Sequence, residues 1–295
     1  MSASEVATKS LVRRAVESSL LPLRDIASKG TGLFALSIVG ILLVVVLFAP
    51  LIAPYAPADQ DIVNRLQGPS AEYWLGTDHL GRDLLSRAIF GTRIALGVAI
   101  PAGLLALTAG LLIGLLAGYL GGRSDTVLVV LMDSMQAFPA VILALALLAL
   151  LGPSLRNVVI VVAITFAPAY ARMARASVFV VREEPYIEAE RALGARMPRI
   201  VVAHILPNIV APLLILMAIN VPVAVTVEAG LSFLGLGVPP PEPSWGVMLS
   251  DGFRRVRETP WPVIVPGLAL VVTTLGFTLL GEALRDRLDP RLSGV

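Results

Sequence analysis

Apolar residues in this chain arrive in uninterrupted blocks of helix length, and that grouping constrains the possible folds more than any other feature. Blocks near residues 33–53, 94–120, 126–151, 157–173, 208–231 and 262–283 consist mostly of Val, Leu, Ile, Ala and Gly. About 20 helical residues, rising about 1.5 Å each, cross a hydrocarbon layer about 30 Å thick. Lipid offers no partners to backbone N–H and C=O groups, and blocks of this length satisfy their own as helices, whereas a barrel would show short alternating strands. The expected fold is therefore all-α, a polytopic membrane protein with six transmembrane helices embedded in membrane lipids. The composition agrees, at 56% hydrophobic and 15% charged residues against about 25% charged in soluble domains. A net charge of only +2 argues against a nucleic-acid partner.

The blocks divide the chain into a tail (1–32), a first span (33–53), a linking segment (54–93), a core with five further spans (94–283) containing a polar loop near 174–206, and a second tail (284–295). Six spans put both tails on one side. That side collects 15 of the 23 Lys and Arg residues and the other side eight, so the positive-inside rule predicts that both termini are cytoplasmic. Lys9, Arg13, Arg14, Arg24 and Lys29 precede an apolar run too long for a signal-peptide core and without a small-residue cleavage site, so the first span is expected to be retained. The fourth block is the shortest, and Arg172 and Arg175 at its end can snorkel to extend it.

The chain has no cysteine, and His79 and His204 have no second His or Cys at metal-ligand spacing. No metal site is expected, and a membrane-embedded enzyme, which needs a nucleophile and base or a metal cluster, is disfavoured. No Gly-x-x-x-x-Gly-Lys-Ser/Thr occurs, so no nucleotide cofactor is expected in this chain. Gly110, Gly114 and Gly118, four residues apart, predict a close helix–helix approach. Pro101, Pro139, Pro168, Pro212 and Pro222 fall inside blocks, where neighbours must satisfy the carbonyls they free.

The polar loop contains "YIEAERALGARMPRIVVAHILP", from Tyr186 to Pro207. Pro185 suits a first helical turn, Glu183 and Glu184 suit the positive end of a helix dipole, and Gly194 falls where a left-handed cap would end the helix. Tyr186, Ala189 and Leu193 recur at i, i+3 and i+7, giving an apolar face opposite Glu188 and Arg191. A second short helix can run from Pro198 to just before Pro207. Helices this short need a surface to lie on; the alternative is a solvated connector whose charges keep it out of the bilayer.

Within this loop, Glu188, Ala189, Gly194, Leu206 and Pro207 stand at the spacing found in the cytoplasmic loop of ABC importer permeases, which the stretch resembles. Glu190 stands where those permeases carry Ala, and His204 where they carry Ile. The stretches "LGTDHLGRDLLSRAIFGTRIAL" (75–96), "LSFLGLGVPPPEPSWGVML" (231–249) and "LRDRLDPRL" (284–292) resemble signature segments of the C-type permease subunit of dipeptide, oligopeptide and nickel importers. The resemblance implies a type I ABC importer permease fold in a bacterial or archaeal inner membrane. It also implies a homologous B-type permease, two cytoplasmic ATP-binding subunits holding ATP and Mg, and an extracytoplasmic substrate-binding protein. The implied cargo is a di- or oligopeptide, with nickel or glutathione as alternatives, and the implied ATPase-coupling residues are Tyr186, Glu188, Ala189, Glu190, Leu193, Gly194, Leu206 and Pro207.

Charges in or near spans usually face protein or water. Asp133 is expected either to line the translocation path or to pair structurally, Glu228 to line the outer mouth of the path, and Glu282 to be a solvated helix end. The proline-rich "GVPPPEPSWG" is expected to be a rigid loop without regular helix. Trp245 is expected to anchor at the membrane interface or to meet the binding protein. "GTDHLGRD" reads as an amphipathic outer helix or as a cap satisfied by Thr77 and Asp78. A secondary transporter is the rival polytopic class, marked by paired broken helices in inverted repeats.

Overall fold

The computed structural model describes Ala27 and residues 30–288; the basic residues of the first tail and the Asp289–Leu292 part of "LRDRLDPRL" lie outside the described residues. Among the described residues, five helices are long and apolar enough to cross a membrane: α1 (Gly30–Ile52), α2 (Leu84–Leu120), α5 (Leu155–Arg182), α7 (Met197–Phe233) and α9 (Trp261–Leu288). A sixth crossing is available as a broken pair, α3 (Gly122–Gln136) and α4 (Ala140–Leu151), which meet at 90°. Two short helices, α6 (Pro185–Ala192) and α8 (Trp245–Phe253), lie in the connections. The described residues form an all-helical bundle with no strands beyond one isolated bridge, Thr77 to Asp83.

Several element bounds differ from the sequence reading. The third block is bent rather than continuous, because Pro139 has no N–H for the helical ladder and disfavours helical geometry at the preceding Phe138; Pro139 itself is extended and opens α4. The fourth span continues to Arg182 instead of ending near 173. Beyond that point its Ala174 and Val178 are buried on one face, so polar residues on the other face lowered the hydropathy without ending the helix. The second span begins at Leu84, ten residues early, inside the segment assigned to a linker. Asp83 starts it by accepting a hydrogen bond from the Ser86 N–H at 2.7 Å, a standard N-cap.

"GTDHLGRD" is thus neither a helix nor a cap built on Thr77 and Asp78 alone. Gly76 and Gly81 take left-handed φ values of 83° and 74°, which only glycine adopts without cost, and fold the stretch into a tight loop. Asp78 organises this loop. Its Oδ1 accepts from the N–H groups of Leu80 (2.8 Å) and Arg82 (3.0 Å). Its Oδ2 faces Arg82 Nε at 2.6 Å and Arg87 Nε at 3.5 Å. Arg87, only 1% exposed, also donates to the Pro57 carbonyl at 3.0 Å, and Arg82 reaches Asp251 of α8 at 3.9 Å. One buried carboxylate and two guanidiniums therefore fasten the 53–83 segment to α2 and α8. Burial holds His79, at the edge of this cluster, below the ordinary histidine value despite the attraction of Asp251 and Asp78. Burial and the Asp61 carboxylate push Tyr73 up to about 12.

The bundle core is centred on the packing of α2 against α5. Buried Val98, Ala99, Ala102 and Ala106 of α2 meet Val158, Val161, Val162 and Tyr170 of α5. Further along, Gly110, Gly114 and Gly118 press on α5 so closely that a Cβ at Gly110 would lie 2.8 Å from the Ala167 carbonyl oxygen, and one at Gly118 would lie 2.8 Å from Val178 Cβ. A Cβ at Gly114 would strike the Ala171 carbonyl and the Arg175 backbone nitrogen. This glycine spacing serves contact between backbones, as read from the sequence. Gly114→Val is expected to destabilise the protein by about 3 kcal/mol or more, since backbone cannot yield as a side chain can, with a matching loss of folded protein in denaturation assays in micelles. Asp78→Asn, which removes the carboxylate shared by two buried guanidiniums and leaves them only the more distant Asp251, is expected to cost about 3 kcal/mol by the same measurement.

Candidate functional site

Two features of the bundle have the form of working parts: a helical knob at the end bearing α6, and a polar groove between α7 and α9. The knob starts with Pro185 in the first turn of α6 and ends at Gly194, which has φ +81°. The Gly194 N–H donates to the Arg191 carbonyl and the Ala195 N–H to the Glu190 carbonyl, each at 3.0 Å. A Cβ at Gly194 would meet nothing within 4 Å. The requirement for glycine is therefore conformational and not one of space.

The knob is pinned from below by Ile187, which is fully buried with Val178 of α5 and Ile200, Ile205 and Ile209 of α7 in a small core of their own. Leu193 points the other way, 84% exposed, as Glu188 and Ala189 also do, while the half-exposed Tyr186 lies beside His204 of α7. The i, i+3, i+7 pattern thus marked an outward apolar surface, and the single inward anchor was Ile187, which the pattern passed over.

The second short helix does not stop before Pro207. Met197–Ile200 is α-helical, Val201–Ile205 is one π turn, and the chain runs on into the span without a break. The Leu206 N–H bonds the Val201 carbonyl, five residues back, so the ladder is shifted just ahead of Pro207 and the residue that would break an α-helix is absorbed. Leu206 and Pro207 lie in the first turn of the resumed α-helix, and α7 joins the knob to the membrane interior as one rod.

Charges beside the knob are paired. Arg175 grips Asp125 through two contacts, one at 2.6 Å. It also shares the ring of Phe179 with Arg182, their guanidinium carbons 4.5 and 4.4 Å from the ring centroid. Arg182 further donates to the Gly118 carbonyl at 2.7 Å. Arg172 faces Asp133 at 3.3 Å, with both side chains 54% exposed. Arg172 and Arg175, expected to snorkel, instead bind carboxylates of α3. Asp133 is a partner of Arg172 on an exposed face, where such a pair contributes little.

The groove, about 630 Å³, is lined by Thr226 of α7 and by Thr274, Thr278, Glu282 and Arg285 of α9, with Ile219, Pro222 and Val223 between them. Thr226 and Thr274 return hydrogen bonds to helix carbonyls of Pro222 and Leu270. Glu282 and Arg285 form no ion pair among the described residues. Sequence reasoning missed this set. The available signal was the four-residue repeat Thr274, Thr278, Glu282, which puts one polar stripe on an otherwise apolar helix.

Glu228 is not at the mouth of a path. It is 0% exposed, and its Oε1 accepts from Ser232 Oγ at 2.7 Å and Ser244 Oγ at 2.8 Å. Ser232 Oγ in turn accepts from the Val238 N–H and Ser244 Oγ from the Gly246 N–H, each at 3.2 Å. The carboxylate thus holds both ends of the proline-rich loop, which is non-helical up to Ser244, the N-cap of α8. Trp245 is neither an interfacial anchor nor a contact surface. It is 1% exposed, donates from Nε1 to the Ala88 carbonyl at 3.0 Å, and fills the space that Gly91 leaves on α2. Nothing local to a tryptophan two residues beyond a proline run shows what packs on it; its burial depends on α2.

Comparison with known proteins gives the family. Residues 110–294 match the family of binding-protein-dependent transport system inner membrane components, and residues 24–69 match the N-terminal transmembrane domain of oligopeptide transport permease C. The dipeptide transport system permease protein of Alkalihalophilus pseudofirmus is 42% identical over 262 residues, covering 87% of this chain and 86% of its own. The glutathione transport system permease protein of Pectobacterium atrosepticum is 40% identical over 271 residues, 92% and 89% of the two chains. The nickel transport system permease protein of Escherichia coli K12 is 39% identical over 267 residues, 90% and 96%. With most of its length aligned to such permeases, the chain belongs to the binding-protein-dependent transport system inner membrane component family, as a multi-pass inner-membrane permease.

Proposed function

We propose that this chain is the C-type permease subunit of an ATP-driven importer of di- or oligopeptides. In this reading, α6 is the handle moved by partner ATPases and the α7–α9 groove is this subunit's share of the solute path. The observation that carries the proposal is the division of labour in the knob: Ile187 of α6 is locked into the bundle while Leu193, the residue that caps the helix, is 84% exposed. A helix so held can transmit a push but cannot bury its own outer face, and a neighbouring ATPase surface supplies the cover. Both termini are taken to be cytoplasmic, on the side of α6.

ATP and Mg are held by two partner subunits, a homologous B-type permease closes the other half of the path, and an extracytoplasmic protein delivers the solute. This chain supplies no catalytic residue. Tyr186, Glu188, Ala189, Glu190, Leu193 and Gly194 form the knob, and Leu206 and Pro207 begin the rod that carries its rotation into the membrane. Nucleotide shifts the inward- and outward-open forms only through contacts that differ between them, and the knob is where such contacts are made. The groove supports a peptide cargo, because its hydroxyls match amide groups and its separate carboxylate and guanidinium match the two ends of a zwitterion.

The test is transport by the four-subunit complex reconstituted with its binding protein. Leu193→Asp is expected to lower labelled dipeptide uptake at least about ten-fold, or to lose the ATPases on copurification, as expected for an anchor at an interface centre. Undiminished uptake would rule out α6 as the handle. Competition by unlabelled dipeptide, but not by nickel or glutathione at equal concentration, is expected; the opposite order would reassign the cargo.

A further inference from the structure

The two loop positions that depart from the permease pattern, Glu190 and His204, are fourteen residues apart in sequence and meet in space. Glu190 Oε1 lies 3.5 Å from His204 Nε2, and both side chains are only 28% exposed. Glu190 is on α6, and His204 is in the π turn that roots α7. The Tyr186 ring of α6 sits 6.1 Å from the imidazole. Asn208 of α7 donates to the His204 carbonyl at 2.6 Å and reaches the Tyr186 hydroxyl at 3.5 Å. These contacts form one polar strap on the flank of the Ile187 core, and they bridge the knob and the rod directly.

We propose that His204 is a positioning residue whose protonation tightens this strap and so sets how faithfully motion of α6 reaches the membrane span; this rests on the reading of α6 as the coupling handle. An imidazolium donates to the Glu190 carboxylate and fixes the angle between α6 and α7. A neutral imidazole whose Nε2 carries no proton presents a lone pair to the carboxylate and lets the knob swing. Protonation converts the loose form of the strap into the tight one, so coupling is strongest at the acidic end of the range assayed.

The groups facing the imidazole are Glu190 and Tyr186 from α6 and the uncharged Asn208 from α7. The Ile187 core beside the strap adds the apolar Val178 and Val181 of α5 and Leu111, Leu115 and the phenol of Tyr119 from α2. Among the described residues, Glu190 is the ion-pair partner of His204, so no competing charge obscures the response. The π turn contributes to the geometry, since the extra residue per turn redirects the side chain at 204 relative to a regular helix.

The experiment measures binding-protein-stimulated ATP hydrolysis by the whole reconstituted transporter from pH 5.5 to 8, for the wild type, His204→Gln, Glu190→Gln and the apolar double variant E190A/H204I. The quantity read is the ratio of wild-type to His204→Gln stimulation at each pH, which cancels the pH response of the ATPases themselves. That ratio is expected to fall by about two- to five-fold as pH rises, the range a partly exposed ion pair supports. Glu190→Gln should behave as His204→Gln does. In the double variant the ratio of its stimulation to that of His204→Gln should be constant with pH, whatever its level, showing that the pH response resides in the Glu190–His204 contact. A ratio constant with pH, or a pH dependence that survives in the double variant, overturns the strap. Leu193→Asp in the same assay separates the two readings: if it leaves stimulation intact, the coupling handle itself is wrong, whereas its failure together with a flat His204 ratio removes the strap alone.

Discussion

Everything else in this molecule depends on the backbone-to-backbone approach of α2 and α5 along Gly110, Gly114 and Gly118. In lipid there is no hydrophobic gain from bringing helices together, so association relies on close packing and on hydrogen bonds that lipid cannot provide. The three glycines supply the closeness over the half of the contact nearest α6. The same closeness lets Arg182 reach back to the Gly118 carbonyl and keeps Arg175 against Asp125. A polar clamp at one end of the bundle and the Asp78 cluster at the other thus bracket a tightly packed pair; α7 packs against it, and α9 packs chiefly on α7 and α1.

The tightness of that pair bears on how the proposed motion is carried. Dense cores resist continuous deformation and move as units, whereas the α7–α9 seam retains a groove of about 630 Å³. Under the proposed function, α6 and α7 shift against the α2–α5 pair. Ile187 is the hinge pin and the π turn at Val201–Ile205 is the joint that spares Pro207 from breaking the rod. Glu228 anchors the far end of the same rod to the proline-rich loop, so displacement at one end of α7 is met by a fixed point at the other.

Much of this was legible from residue order. The apolar blocks, the glycine spacing, the first-turn Pro185 and the left-handed Gly194 are local or periodic signals, and the structure has helices, a close contact, a helix start and a turn at those places. The failures share a cause. Ile187 against Leu193, Trp245 in the core and Glu228 between two serines all turn on which neighbour arrives from a distant part of the chain. Thr274, Thr278 and Glu282 were in plain view as a four-residue stripe, but a stripe becomes a groove only when α7 stands beside it. The bend at Pro139 was signalled by its missing N–H.

By itself the sequence determined that the chain must cross a membrane as helices, because blocks of helix length leave lipid-immersed backbone no other way to satisfy its hydrogen bonds. It also determined where two helices could touch and where the polar loop would turn, since those depend on side-chain size and on φ at single residues. Only the tertiary structure decided which face of each helix meets protein and which stays free, and hence that Glu190 and His204 touch, that Glu228 is enclosed and that Leu193 projects. The reason is physical: exposure and pairing are properties of surfaces assembled from residues far apart along the chain, and local periodicity carries no record of the partner.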